Sequence, residues 1–220
     1  MAKKKIKEGV YLVIDPSMAP SLLFQRLEKA LKTSISAVQI WDNWASGVDK
    51  DAVIEKILSL GRKYKVPVLM NNDWHLLKSY SFDGVHFDEV PENFEEIKIE
   101  LTKRSIFAEK KDYIFGITCN NDMNLIDWAT RNGMDYLSFC SMFPSATSNS
   151  CELVSLDSVH KARSISNLPI FLAGGIRPDN MKKFKDIDYQ GVAIVSGIMG
   201  SSDPEDAASQ YLQQLNNNEP

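Results

Sequence analysis

Short apolar runs rich in β-branched residues alternate along this chain with stretches of helical periodicity, about eight times over, and no two-residue hairpin turn joins neighbouring runs. A run without polar alternation reads as a strand buried on both faces, and such strands belong to parallel sheets whose crossovers are helices. The pattern predicts a single-domain (β/α)8 TIM barrel, with a doubly wound open sheet as the alternative. The nucleotide fingerprint of that alternative, GxGxxG after the first strand, is missing, because Ile14 runs into Asp15, Pro16 and Ser17.

The expected strands are residues 10–14, 37–40, 67–70, 84–87, 113–118, 136–140, 170–172 and 192–196. Between them Ser21 is read as the cap of a first helix, and a second is expected over 49–64 with Val53, Ile57, Leu58 and Leu60 along one side. Short helices are expected at 74–79 and 180–184, and longer ones at 92–103, 122–131, 156–164 and 204–215. Residues 141–155 read as a long loop of small residues. One domain spans residues 1–220, with tails at 1–8 and 216–220.

At 44% hydrophobic, 220 residues can bury a sizeable core, and a formal charge of -4 argues against a nucleic-acid surface, which needs a clustered basic face. Cys119, Cys140 and Cys151 show no CxxC spacing, so neither a disulfide framework nor a metal set is indicated, and the cytoplasm is the expected compartment. Four lysines within residues 3–7 precede an apolar run too short for a signal peptide, and no stretch reaches membrane-spanning length. A homo-oligomer is compatible with this composition.

Five of the eleven glycines lie between Gly174 and Gly200, where two strand runs end abruptly in glycine. A strand followed by a glycine turn lets the main chain approach an anion, and barrels frequently hold phosphate after their seventh and eighth strands. Two such turns close together suggest one anion held between them. Active sites of barrels sit at the C-terminal strand ends. That rule adds Asp15, residues 39–43, 71–73, 86–89, 118–120, 140–148, 174–177 and 196–198 as mouth positions.

Read in order, several of these segments resemble the thiamine phosphate synthases and the related thiazole tautomerases. They are Tyr11-Leu12-Val13-Ile14-Asp15, Val38-Gln39-Ile40, Val66 to Asn71, Asp83-Gly84-Val85-His86, Gly133 to Leu137, Phe143 to Thr147, Gly174-Gly175-Ile176 and Val192 to Ser196. The resemblance implies a barrel that joins a pyrimidine methyl diphosphate to a thiazole phosphate with Mg2+ as cofactor. It also implies a small phosphorylated heterocycle, thiazole phosphate or thiamine phosphate, as ligand, and no nucleic-acid or membrane partner. Gly174, Gly175, Ser196 and Gly197 match its thiazole-phosphate cradle and are the implied phosphate-binding residues, and Gln39, Trp41, Asn43, Asn71, Thr118 and Thr147 fall at its substrate positions.

The departures from the family pattern cluster. Its Gln-x-Arg-x-Lys segment has Trp41 for Arg and Asn43 for Lys, and the Lys of its Thr-x-Thr-Lys loop is Ser148. Its first metal Asp falls on Asn72 and the following Arg on Asp73. A rebuilt Mg2+ site would draw on Asn72, Asp73, Asp88 and Glu89, and a one-residue slip pairing Asn72 with Asp73 would need a bulge at Met70 or Asn71. The tautomerase histidine falls on Asn120, which cannot transfer a proton near neutral pH.

These departures leave three expectations: a synthase with a divergent diphosphate site, a non-catalytic binder of a phosphorylated heterocycle, and an isomerase of the tautomerase type. Trp41 and Trp44 either stack on a heterocycle or plug the space of a diphosphate. His86 reads as a buried, satisfied histidine, His75 and His160 as surface residues, and Cys119 and Cys140 as structural thiols near the mouth. Asp15 is either a mouth hydrogen-bonding group or the cap of the Pro16 turn.

Overall fold

The computed structural model describes residues 5–102, 112–144 and 152–217. Eight parallel strands close into a barrel in sequence order, with the first strand pairing both the second and the eighth. The strands are β1 (Gly9–Ile14), β2 (Ile35–Ile40), β3 (Val68–Asn71), β4 (Gly84–Phe87), β5 (Ile114–Cys119), β6 (Tyr136–Phe139), β7 (Ile170–Ala173) and β8 (Gly191–Ile194). Closure removes both sheet edges, so none of the eight barrel strands offers unpaired backbone to another chain.

Around the barrel run α1 (Pro20–Ala30), α2 (Lys50–Tyr64), α3 (Phe94–Thr102), α4 (Met123–Asn132), α5 (Leu156–Ile165), the one-turn α6 (Ser196–Met199) and α7 (Pro204–Asn217). Trp74–Lys78 and Met181–Phe184 form 3-10 turns in place of the third and seventh crossover helices. Local chemistry explains most boundaries. Asp49, Asp122 and Ser155 accept hydrogen bonds from backbone N–H groups at the starts of α2, α4 and α5, and Gly133 closes α4 in the left-handed conformation.

The expected cap at Ser21 is displaced: Ala19 holds that position and Pro20 is the first helical residue, where its missing N–H costs nothing. Leu22 is exposed, while Leu23, Leu27 and Ala30 are buried. The eighth strand stops at Ile194, and Ser196 opens α6 instead of ending the strand. Ile6 packs against the barrel interior, and α7 continues to Asn217. No described helix is long and apolar enough to cross a membrane.

Strand alternation divides the side chains into two cores. Val10, Leu12, Ile14, Val38, Ile40 and their counterparts on later strands face the helices. Tyr11, Ala37, Leu69, Ile114, Tyr136, Phe171 and Ala193 fill the barrel interior. Tyr11, Tyr136 and Phe171 meet edge to face with centroids 5.6–5.7 Å apart, each contact worth about 0.5–1.5 kcal/mol beyond burial. Their bulk is accommodated by a small residue on β5: a methyl on Gly116 would stand 2.0 Å from Tyr136 Cζ.

Gly116→Ala is therefore expected to push Tyr136 out of place and cost about 1–3 kcal/mol, as overpacking in a full core does. A urea-denaturation midpoint unchanged from wild type would refute that packing.

Candidate functional site

At the C-terminal strand ends the inward alternation brings Gln39, Asn71, His86, Thr118 and Ser138 into one cavity of about 140 Å³, with Trp41 and Asp88 at its border. A second cavity of about 290 Å³ adjoins it and shares Gly174, Ala193 and Val195 with it. Gly175, Arg177, Ser196 and Gly197 line the rest of this second space. The four candidate phosphate residues thus meet, although Gly174 and Gly175 come from one strand end and Ser196 and Gly197 from another.

The two strand-end glycines are required by their neighbours. Both have positive φ, +86° at Gly174 and +65° at Gly175. A methyl on Gly174 would stand 2.0 Å from Ser141 Oγ, and one on Gly175 would stand 2.7 Å from the carbonyl oxygens of Phe143 and Pro144. The segment after β6 therefore lies directly on this turn, held by Met142 N–H to Ala173 O and Phe143 N–H to Gly174 O. Gly197 serves packing too, since its methyl would meet the Tyr211 hydroxyl at 2.2 Å. Arg177 adds a cation at the cradle rim, paired with Asp179 across 3.1 Å.

The border of the mouth is acidic. Asp88 lines the cavity, and no Lys or Arg does so among the described residues. Asp88 Oδ1 accepts from Asn71 Nδ2 at 3.1 Å and its Oδ2 from Asn72 Nδ2 at 2.9 Å. Asn72 Nδ2 also donates to Asp42 Oδ2 at 3.1 Å, while Asn72 Oδ1 accepts the Asp88 backbone N–H at 2.9 Å. That last bond fixes the amide with its nitrogen between the two carboxylates.

A divalent cation such as Mg2+ takes oxygen ligands. Here an N–H2 group stands where two carboxylates converge, and no group of three or more His, Cys, Asp or Glu among the described residues could hold a metal. The residues present do not fit a magnesium site. Asp73 and Glu89 are exposed and take no part in the cluster. The β3–β4 register runs unbroken through Met70↔Val85 and Asn71↔His86, so the bulge that a slipped metal pair needs does not occur.

Beneath the mouth runs a buried polar chain. His86 Nε2 meets Thr118 Oγ1 at 2.9 Å and its Nδ1 meets the Tyr136 hydroxyl at 2.8 Å. The Tyr136 and Tyr11 hydroxyls are 2.8 Å apart, and Tyr11 Oη donates to Gln39 Oε1 at 2.8 Å. Burial holds the His86 pKa down at about 4, against a small opposing pull from Asp88, and burial pushes both tyrosine hydroxyls well above their usual range. All four rings and amides are therefore neutral near pH 7.

Sequence reading assigned no role to Tyr11, Tyr136 or Ser138. The signal that finds them is parity: each lies an even number of residues from an inward mouth residue of its own strand, and each carries a polar atom in an otherwise apolar run.

The remaining candidates are dispersed. Trp41 is half-buried against the mouth, whereas Trp44 packs on the outer core beneath Lys50 and does not line the mouth cavity. Asn43 donates to both oxygens of Asp15, and Asp15 also accepts the Ser17 N–H, so Asp15 serves both expected roles. Thr147 and Ser148 lie outside the described residues. Asn120 caps its own turn by accepting the Asp122 N–H at 2.7 Å. Cys140 lines the mouth, but Cys119 faces the helix layer, where burial pushes its thiol up to about 12. His75 and His160 are exposed.

Two outcomes follow from this geometry. His86 titrates near 6.5 when unfolded and near 4 when folded, so the unfolded chain binds more protons in that window. The stability from His86 is full above pH 6.5 and falls as pH drops toward 4, by about 3 kcal/mol in all. Urea unfolding of His86→Gln should show a correspondingly flatter pH dependence than wild type over that window; parallel curves would contradict it. Asn72→Asp places three carboxylates together and should create Mn2+ binding measurable by calorimetry, with wild type giving no heat. Equal Mn2+ binding by both proteins would contradict the amide's position.

Comparison with known proteins agrees with this architecture. The family model described as thiamine monophosphate synthase matches residues 10–198. The thiamine-phosphate synthase of Clostridium beijerinckii is 27% identical over 214 residues, covering 97% of this chain and 98% of that protein. That of Nitrosococcus oceani is 29% identical over 208 residues, covering 94% and 92%. The thiamine phosphate pyrophosphorylase structure from Pyrococcus furiosus superposes with a TM-score of 0.80 at 20% identity, covering 98% of both chains, and shares the fold. With a match spanning nearly every strand of the barrel, the chain belongs to the thiamine monophosphate synthase family.

Proposed function

We propose that this protein binds a phosphorylated heterocycle of thiamine metabolism, with the phosphate in the cavity between Gly174, Gly175, Ser196 and Gly197 and the ring in the adjoining mouth. The diphosphate half of the family site is rebuilt. Thiazole phosphate and thiamine phosphate are the ligands that family membership favours.

The observation that carries this reading is the charge of the mouth. Its charged lining residue is Asp88, with Trp41 beside it, and the adjoining cradle has Arg177. Two like charges 4 Å apart repel by about 4 kcal/mol at an effective dielectric of 20. A diphosphate brought against Asp88 without a cation meets that penalty, whereas a neutral or positively charged ring does not. A monophosphate in the cradle stands beside Arg177 and the start of α6.

Condensation of a pyrimidine methyl diphosphate with a thiazole phosphate is correspondingly weak in this chain. Losing a single charge-stabilising group costs roughly 10²- to 10³-fold in rate, and Trp41, Asn43 and Asn72 replace charged groups of the family pattern. Isomerase chemistry of the tautomerase type finds no proton carrier at Asn120, whose oxygen is engaged in its own turn.

Calorimetry with thiamine phosphate and with thiazole phosphate tests the reading. At least one should bind, and Ser196→Glu, which adds a carboxylate at an exposed position in the cradle, should weaken it by about tenfold or more. Purified protein supplied with both synthase substrates and Mg2+ should turn over at least about 10³-fold more slowly than a family synthase assayed alongside. Absence of heat from either ligand, or turnover at the comparison enzyme's rate, would overturn the proposal.

A further inference from the structure

The two turns of the cradle meet a third element from behind. Tyr211, on α7, is 2% exposed, and its hydroxyl donates to the carbonyl oxygen of Ile176 at 3.0 Å. The same hydroxyl stands 2.2 Å from where a Gly197 methyl would sit, so it is wedged between the turn after β7 and the turn after β8. Burial pushes the Tyr211 pKa up to about 12, which keeps the group a donor at neutral pH.

A second side chain holds the first of these turns. The Asn180 amide donates through Nδ2 to Gly175 O at 3.0 Å and accepts the Arg177 N–H through Oδ1 at 2.9 Å. Two consecutive peptide planes are thereby fixed by partners that do not line the cavity. A trans peptide carries its N–H opposite its C=O, and both of these peptides are trans. With the Gly175 carbonyl turned to Asn180, the Ile176 N–H is turned away from Asn180, and it has no acceptor among the described residues. An anion site needs backbone of this orientation, because N–H groups attract the anion and carbonyl oxygens repel it.

We propose that Tyr211 and Asn180 are positioning residues for the cradle: by holding the carbonyls of Ile176 and Gly175 away from the cavity, they leave the Ile176 N–H to meet a phosphate oxygen. The inference rests on the reading that the cradle holds a phosphate, and adds to it two side chains that do not line it. Without the Tyr211 hydroxyl the Ile176 carbonyl loses its donor, and the peptide between Ile176 and Arg177 is free to turn its oxygen toward the anion. Loss of one such hydrogen bond corresponds to about a two- to tenfold change in affinity.

Inorganic phosphate titrated into 15N-labelled protein tests the assignment. In wild type it should move the amide signal of Ile176. Tyr211→Phe, which keeps the ring and removes only the hydroxyl, and Asn180→Ala should each weaken phosphate binding by about two- to tenfold. Tyr113→Phe is the control for stability alone: it removes a buried tyrosine bond of the same kind, from Tyr113 Oη to Leu77 O at 3.3 Å, away from the cradle, and should leave phosphate affinity unchanged. Circular dichroism checks that each variant is folded.

An Ile176 signal that phosphate does not move, an affinity unchanged in either cradle variant, or an equal loss in Tyr113→Phe would overturn the inference. Phosphate binding with the expected pattern of variants, but no binding of thiamine phosphate or thiazole phosphate, would instead overturn the functional reading alone.

Discussion

Tyr136 lies across the inside of the barrel in space that Gly116 leaves open, and the contacts it makes there tie the packing of the molecule to its site. Its ring meets Tyr11 and Phe171 edge to face and stacks on His86 with centroids 5.6 Å apart. Its hydroxyl joins strands β1 and β4 through hydrogen bonds to Tyr11 and His86. A barrel interior is a packed core and not a pore, so any polar atom placed there must find a partner. The floor of the mouth is thereby also the ceiling of the core.

Charge divides the face above that floor. On one side Asp42 and Asp88 are bridged by the amide of Asn72, a neutral group standing between two carboxylates. On the other the glycine turns after β7 and β8 enclose a space rimmed by Arg177. These glycines serve two purposes at once. The missing side chains admit the segment after β6 on one side and leave the cavity on the other, so their presence is explained by packing before any ligand is considered.

Much of this was legible in the chain. The barrel and the strand positions to within a few residues follow from apolar runs, and the turns that end the last two strands follow from glycine placement. The helix starts at Asp49 and Asp122 follow from capping chemistry. The departures were local competitions: Pro20 took the first helical position that made Ala19 the cap, and the backbone turned into α6 at Ser196 before the apolar run suggested. Cys119 and Cys140 look alike as strand-end cysteines, yet parity sends one to the helix layer and the other to the mouth.

By itself the sequence determined the alternation of strand and helix, and with it which residues of each strand share a face, because both depend only on spacing along the chain. Which inward residues meet was decided by the tertiary structure alone. His86 and Tyr136 are 50 residues apart, and Tyr11 and Tyr136 are 125. Those meetings depend on inter-strand register and on closure of the barrel, and no local spacing encodes either. The same holds for Asn72: its departure from an acidic residue is visible in the sequence, but only the fold aims its amide between Asp42 and Asp88.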